Sequence, residues 1–437
     1  MALSRGGRSF SEKPQWDFMN LWDFFTDPVL RAPAWGCILM CIASSLMGVL
    51  IFLRKRSLLS ESLSHATYPG VVLGVSLFAF LFPKQEEWVF VAGLAGAFFS
   101  SLLGLKAIEW LEKKGKVRPD AALCFVLAVF FGFGIVGVSA MQSTLPVWQG
   151  QVQMLLFGQA ATMSDIHIVI YATLALAVSL FLCLTFRPLQ AFLFDRDFAS
   201  STGIKVPALE RIFFWLLLLS LIVGIRSVGV VLMSGMVIAP AVAARQFSDR
   251  LQTMFCLAAL FGALSGFLGN YFSVLTSLPT GPMIVLVGTA FALLSLMFAP
   301  KRGLLFRIAR VFAFRFRCLQ ENILKGIWKK GTLWNEPSCF SMRCALWRLK
   351  KEGWIAQQGT QFQLTEDGKK KAAFVVRLHR LWELYLTESL GFKAEKVHRT
   401  AEEMEHILTP EIEEKLTRLL SNPKQDPHQQ PIPERQI

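Results

Sequence analysis

Long apolar stretches, each near bilayer length and almost free of charge, run in series from Ala34 to Pro300 and then stop. Crossing the hydrocarbon core takes about 20 such residues in helical form, because lipid offers the backbone no hydrogen-bond partners. Candidate stretches lie near residues 33–53, 63–82, 88–108, 120–141, 165–186, 211–226, 228–244, 252–272 and 280–299. They predict an all-α polytopic membrane domain of about nine transmembrane helices over residues 33–300, after an N-terminal segment 1–32. Region 211–244 is ambiguous. Arg226 separates two short arms that form either a hairpin or one tilted helix with a re-entrant part.

Basic loops face the cytoplasm. Arg54, Lys55 and Arg56 fall in one loop, and Lys113, Lys114, Lys116 and Arg118 in another. Arg187, Arg196, Lys205 and Arg211, then Arg245 and Arg250, then Lys301 and Arg302 continue the series. These are alternate loops if 211–244 is a hairpin, and residues 142–164 and 273–279 hold no Lys or Arg. The N-terminus is therefore predicted outside and the C-terminus in the cytoplasm. Arg5, Arg8, Lys13 and Arg31 count against this.

Past the last span the composition changes. Lys301 to Lys371 holds sixteen Lys and Arg against five Asp and Glu, and the segment after Ala372 holds nine against eleven. The first block suits a polyanion and the second suits cations. Residues 301–317, basic with interleaved Phe and Leu, read as a juxtamembrane linker on anionic lipid. Residues 318–375 read as helix, Gly331, helix over Ser341–Glu352, Gly353, then strand, turn at Gln358–Gly359, strand and helix. This is a winged-helix pattern, in which Arg343, Arg348, Lys350 and Lys351 face DNA or form a solvated face. Residues 376–421 form an α-helical block, and 422–437, rich in Pro and Gln, are predicted disordered. The eight cysteines make no CxxC pair, so neither a disulfide framework nor a zinc finger is expected. A channel, a transporter and a membrane enzyme all fit so far; there is no GxxxxGK[ST], so the chain has no phosphate loop of its own, and any ATP that drives it is bound on a separate subunit.

Ligand-type residues recur at helical spacing. Glu61 and His65 are i and i+4, as are His379 and Glu383, while His398, Glu402, Glu405 and His406 share one helical stripe. Carboxylate and imidazole together suit a divalent first-row ion. A helix-start acid with an interfacial histidine, and a polar surface stripe, are the plain alternatives.

Three stretches carry a resemblance: LLSESLSHATYPGVVLGV (Leu58–Val75), GIRSVGVVLMSGMVIAPAVAARQ (Gly224–Gln246) and SLPTGPMIVLVG (Ser277–Gly288). With LLFG at Leu155–Gly158 and FDRDFASSTGI at Phe194–Ile204, they resemble permease subunits of the zinc/manganese/iron branch of bacterial ABC importers. The resemblance implies a bacterial inner-membrane protein with Glu61 and His65 on the metal path, Glu61 standing where the family usually has Asp. It implies that Asp195, Asp197 and Gly203 belong to a coupling helix docking on an ATPase subunit. A second permease subunit and an extracytoplasmic metal-binding protein are the other implied partners. HRLWELYLTESLGFKAEKVHRTAEEMEHIL (His379–Leu408) resembles the metal-binding and dimerisation region of the diphtheria-toxin-repressor family. That resemblance assigns His379, Glu383 and His398 to an ancillary metal site and Glu402, Glu405 and His406 to a primary one. Glu402, in place of the Cys of iron-sensing members, favours Mn(II), then Fe(II), with Zn(II) possible. Asn322 and Lys325 depart from expected ligands, and Thr332–Phe340 is short for the first helix of a helix-turn-helix. A fusion of this kind resembles one from chlamydial metal-uptake systems. It implies dimerisation through the C-terminal domain and operator DNA as a partner. Because a membrane tether restricts access to operators, proteolytic release near residues 300–320 is a further expectation. A transporter whose C-terminal domain is a metal-sensing gate without DNA binding is the other expectation.

Overall fold

The computed structural model describes residues 23–82, 88–334, 339–359, 361–393, 397–398, 401–402, 404–407 and 409–434. The chain forms two compact units, Met1–Phe306 and Arg307–Ile437.

The first unit is helical throughout its described residues. After the one-turn helix α1 (Asp23–Thr26) come α2 (Arg31–Leu53), α3 (Leu58–Leu81), α4 (Val89–Lys113), α5 (Pro119–Thr144) and α6 (Pro146–Phe157). There follow α7 (Asp165–Leu184), α8 (Phe186–Phe194), α9 (Arg196–Ser201), α10 (Val206–Val228), α11 (Met233–Phe247), α12 (Leu251–Thr276) and α13 (Thr280–Phe298). Among the described residues, eight are long and apolar enough to cross a membrane: α2, α3, α4, α5, α7, α10, α12 and α13. Region 211–244 accounts for the difference from nine. It resolves into α10, of 23 residues, and α11, of only 15, turning at Gly229 with φ +88°. A 15-residue helix is ~22 Å long, short of a ~30 Å core. The segments flanking α11 lie beside those flanking α13. Gly281, at the start of α13, packs on the Val228 carbonyl, and Arg302, just past α13, pairs with Asp249, just past α11.

Helices without a hydrophobic driving force between them associate through small residues. The α3–α4 crossing depends on this. A Cβ on Gly70 would lie 2.1 Å from the Gly96 carbonyl oxygen, and the converse also holds. Ser100 Oγ donates to the Ala66 carbonyl at 2.7 Å in the same crossing. Arg31 forms an ion pair with Asp165, which matches one of the basic residues that stood against the predicted orientation.

The second unit is built on α14 (Leu304–Lys330), which absorbs the segment read as a linker into one continuous helix. Gly331, at φ +78°, ends it. Then come β1 (Leu333–Trp334), α15 (Phe340–Lys351), β2 (Ile355–Gln358), β3 (Gln361–Leu364), α16 (Glu366–Glu388) and α17 (Pro410–Leu419). The strands form an antiparallel sheet in the order β1-β3-β2, with Gln358 opposite Gln361 across the turn. Ile323, Leu324 and Ile327 of α14 pack with Leu346 and Leu349 of α15 and Ile355. Thr365 caps α16 by accepting from Gly368 N at 3.1 Å.

The expected disordered tail is folded over residues 422–434. Buried Arg377 needs several acceptors, and the tail supplies one: Nη1 donates to the Pro433 carbonyl at 2.8 Å, beside Glu413 and Thr417. Asp426 is 8% exposed and accepts from His428 N and Gln430 N at 2.9 and 2.8 Å. Composition misled here because these partners lie on α16 and α17. Residues 435–437 fall outside the described residues.

Candidate metal centres

In the second unit α16 turns His379 and Glu383 inward, 3% and 2% exposed. His398, itself in helical form, comes to them from beyond α16. Its Nδ1 lies 2.7 Å from Glu383 Oε1 and 3.2 Å from His379 Nε2, and His379 Nε2 is 3.2 Å from Glu383 Oε1. All the ligand atoms of this trio fall within 4.8 Å of one another. Two imidazole nitrogens and a carboxylate oxygen, with no thiolate, form a donor set for a first-row divalent ion. The trio borders a cavity of about 250 Å³, into which the folded tail brings Asp426 and His428.

Burial penalises the charge on Glu383, but hydrogen bonds with His379 and His398 outweigh it and lower its pKa to about 2. Burial likewise opposes a charged His379, yet bonds to Glu383 and Glu405 win and its pKa rises. Burial also opposes a charged Glu405, and bonds to His379 and Lys325 overcome it, lowering its pKa.

Glu405 and His406 lie side by side, Oε1 of Glu405 3.6 Å from Nε2 of His406, but Glu402 is turned away from them. Glu402 is exposed, with Oε1 3.6 Å from His398 Nε2. Glu405 is buried against Lys325 and the Nδ1 side of His379. His406 Nδ1 pairs with Glu321 Oε2 at 2.7 Å. The stripe divides because the chain leaves helical form at Glu405. Asn322 is exposed, so its neighbour Glu321 is the acid that reaches inward from α14. Glu321 was not among the sequence candidates. Its i, i+4 spacing with Lys325 was the available signal.

In the first unit Glu61 and His65 lie on α3, half-buried and one turn apart. The His65 ring meets Phe131 edge-on at 4.8 Å, and its buried Nδ1 has no hydrogen-bond partner among the described residues. Asp195 caps α9, its Oδ1 accepting from Asp197 N at 2.8 Å and Phe198 N at 3.1 Å, and Gly203 follows at φ +82°. Phe194 and Phe198 stand exposed on either side of the cap. Glu210 on α10 holds both Arg196 of α9, at 2.9 Å, and Arg54 beyond α2, at 2.7 Å. Arg343, Arg348, Lys350 and Lys351 are all exposed on α15. Arg348 pairs with Glu352 at 2.9 Å and Lys350 donates to Gln357 at 3.0 Å.

Residues 26–299 match the ABC 3 transport family. The chain belongs to that family. Residues 365–434 match the iron dependent repressor metal binding and dimerisation domain. Over 449 aligned residues the chain is 35% identical to the probable metal transport system membrane protein of Chlamydia trachomatis serovar D, covering 94% of this chain and 97% of that protein. It is 32% identical over 391 residues to the manganese transport system membrane protein MntC of Bacillus subtilis, covering 85% of this chain and 87% of MntC. The solved structure of PsaBC from Streptococcus pneumoniae in complex with Fab is similar at a TM-score of 0.55 and 26% identity, over 64% of this chain and 96% of that one. The first unit is thus an ABC-type membrane permease, and the second carries a repressor-type metal-binding domain.

Proposed function

We propose that this chain is the permease subunit of an ABC importer for a divalent first-row metal, and that its second unit is a metal-responsive regulator for the same class of ion. The convergence of His379 Nε2, Glu383 Oε1 and His398 Nδ1 in a chain of a transport family carries the reading. Nitrogen and oxygen donors without sulfur favour Mn(II) or Fe(II), with Zn(II) also accommodated. The manganese named for the Bacillus subtilis relative supports this order.

In this reading the ion passes Glu61 and His65, and the Nδ1 of His65, which has no partner among the described residues, is the ligand atom for it. The N-terminus lies outside, α11 is a short ninth crossing, and the C-terminus is cytoplasmic. Capped α9, flanked by Phe194 and Phe198, docks on a separate ATPase subunit. A second permease subunit and an extracytoplasmic metal-binding protein complete the importer. Sheet and α15 form a winged helix whose Arg343, Arg348, Lys350 and Lys351 approach operator DNA, in a dimer made through residues 365–434. Proteolysis in the segment between α13 and α14 frees the regulator.

One observation favours a gate that does not bind DNA. A strand, β1, precedes α15 where a helix-turn-helix has its first helix, and Arg348 and Lys350 already have partners. A mobility-shift assay of the full chain in detergent with its own promoter, with and without Mn(II), separates the readings. A metal-dependent shift supports the regulator, and no shift at any metal level leaves the gate. Detection of full-length protein alone by a C-terminal antibody at all metal levels rules out release.

A further inference from the structure

Lysine is almost never buried unless it is paired. Lys325 of α14 is 6% exposed, and its partner Glu405 is 2% exposed. The ammonium touches both carboxylate oxygens, Oε1 at 3.0 Å and Oε2 at 2.7 Å, and the His379 Nδ1 at 3.1 Å. Two carboxylate oxygens are donors that would otherwise face a divalent cation, while the Nδ1 beside them faces the Glu405 carboxylate. Here a covalently tethered cation holds them. A metal ion entering the same place would meet a positive charge about 3 Å away, in a buried position where solvent screens it little. The residues at Glu405 therefore do not fit a second ion, although the sequence resemblance called for one there.

The same contacts give Glu405 another task. Metal-bound histidines usually donate their second ring N–H to a carboxylate, which fixes the tautomer and the ring orientation. His379 directs Nε2 at Glu383 and His398 and Nδ1 at Glu405. With a metal on Nε2 the ring proton sits on Nδ1, and Glu405 is placed to accept it. The turn that carries Glu405 is tied to α14 a second time, through His406 and Glu321.

We infer that Lys325 fills the second cation position with its own ammonium, so that this unit takes one divalent ion, held by His379 Nε2, Glu383 and His398, with Glu405 as the positioning carboxylate for His379. The inference rests on the proposed metal role of that trio, and the test separates the two.

The full-length protein in detergent is titrated with Mn(II) alone, and the bound ions per chain and their affinities are compared with wild type, so that ions held by the membrane unit cancel. Glu383→Gln is expected to lose one ion per chain. If it loses none, the proposed role of the trio fails before the inference is reached. The double variant Lys325→Gln with Glu405→Gln removes both buried charges together and keeps hydrogen-bonding groups in place. It is expected to keep the wild-type count and to bind about 10–100-fold more weakly, the range for a lost orienting partner. Its melting temperature without metal is measured in parallel, and an unchanged value assigns the affinity loss to His379 orientation. Loss of a whole ion by a folded double variant makes Glu405 a direct ligand and overturns the inference, as does a wild-type protein that loses separate ions to Glu383→Gln and to Glu405→Gln. If the double variant does not fold, Lys325→Arg is the decisive variant: retained count and affinity uphold the ammonium role, and a changed count refutes it.

Discussion

Replacing Lys325 with Met should loosen the second unit strongly, and replacing Glu405 as well should undo most of the damage. The ammonium lies 2.7 and 3.0 Å from the two carboxylate oxygens. At that range, and an effective dielectric near 20, the attraction is about 6 kcal/mol. Removing one member of a buried pair costs about 3–5 kcal/mol, because the survivor keeps its charge without compensation. Glu405 would retain His379 as a hydrogen-bond donor, which points to the lower end, about 3 kcal/mol. Amide hydrogen exchange of the full chain, read on peptides covering Lys325 and residues 404–407, reports this opening directly. Exchange should quicken about 100-fold, since each 1.4 kcal/mol is about tenfold. Lys325→Met with Glu405→Leu should return to within about 1 kcal/mol of wild type, because apolar groups of similar volume replace a buried pair at little cost. A single variant that exchanges within about threefold of wild type would refute the reasoning. So would a double variant as fast as the single.

His65→Ala should abolish Mn(II) uptake by the assembled importer at unchanged protein level, measured with radioactive manganese in cells lacking their own importer; uptake near wild type would remove His65 from the path. Asp195→Ala loses both backbone bonds of the α9 cap, about 1 kcal/mol of local helix stability, and should reduce transport more than it reduces ATP hydrolysis by the complex. Glu383 has a folded pKa of about 2 against an ordinary 4.5, so its contribution, on the order of 3 kcal/mol, is present above pH ~4.5 and lost as pH falls towards ~2. Acid unfolding of the metal-free protein should therefore move to higher pH in Glu383→Gln, and an unchanged acid limb would show that the carboxylate does not stabilise the fold.

Much of the fold was legible because it depends on local periodicity. Apolar runs of bilayer length become α2 to α5, and Gly331, Gly353 and Gly359 take the positive φ that ends helices and turns the hairpin. The His379–Glu383 spacing was readable for the same reason, since i and i+4 share a helix face. Distant contacts were not legible. The stripe of His398, Glu402, Glu405 and His406 was read as one helix, but the chain turns at Glu405, sending His406 to Glu321 and leaving Glu402 in solvent. Nothing local in the Pro-rich tail announces that Arg377, 56 residues away, binds Pro433.

The Glu210 carboxylate, shared between Arg54 and Arg196, has a mechanical consequence. It works as a rivet through three pieces of the membrane unit: α9, the first turns of α10 and the corner between α2 and α3. Glu61 lies just past that corner, on the first turn of α3. A displacement of α9 would be carried through Glu210 to the corner that starts α3, and Glu210→Gln would break that tie while leaving each helix in place.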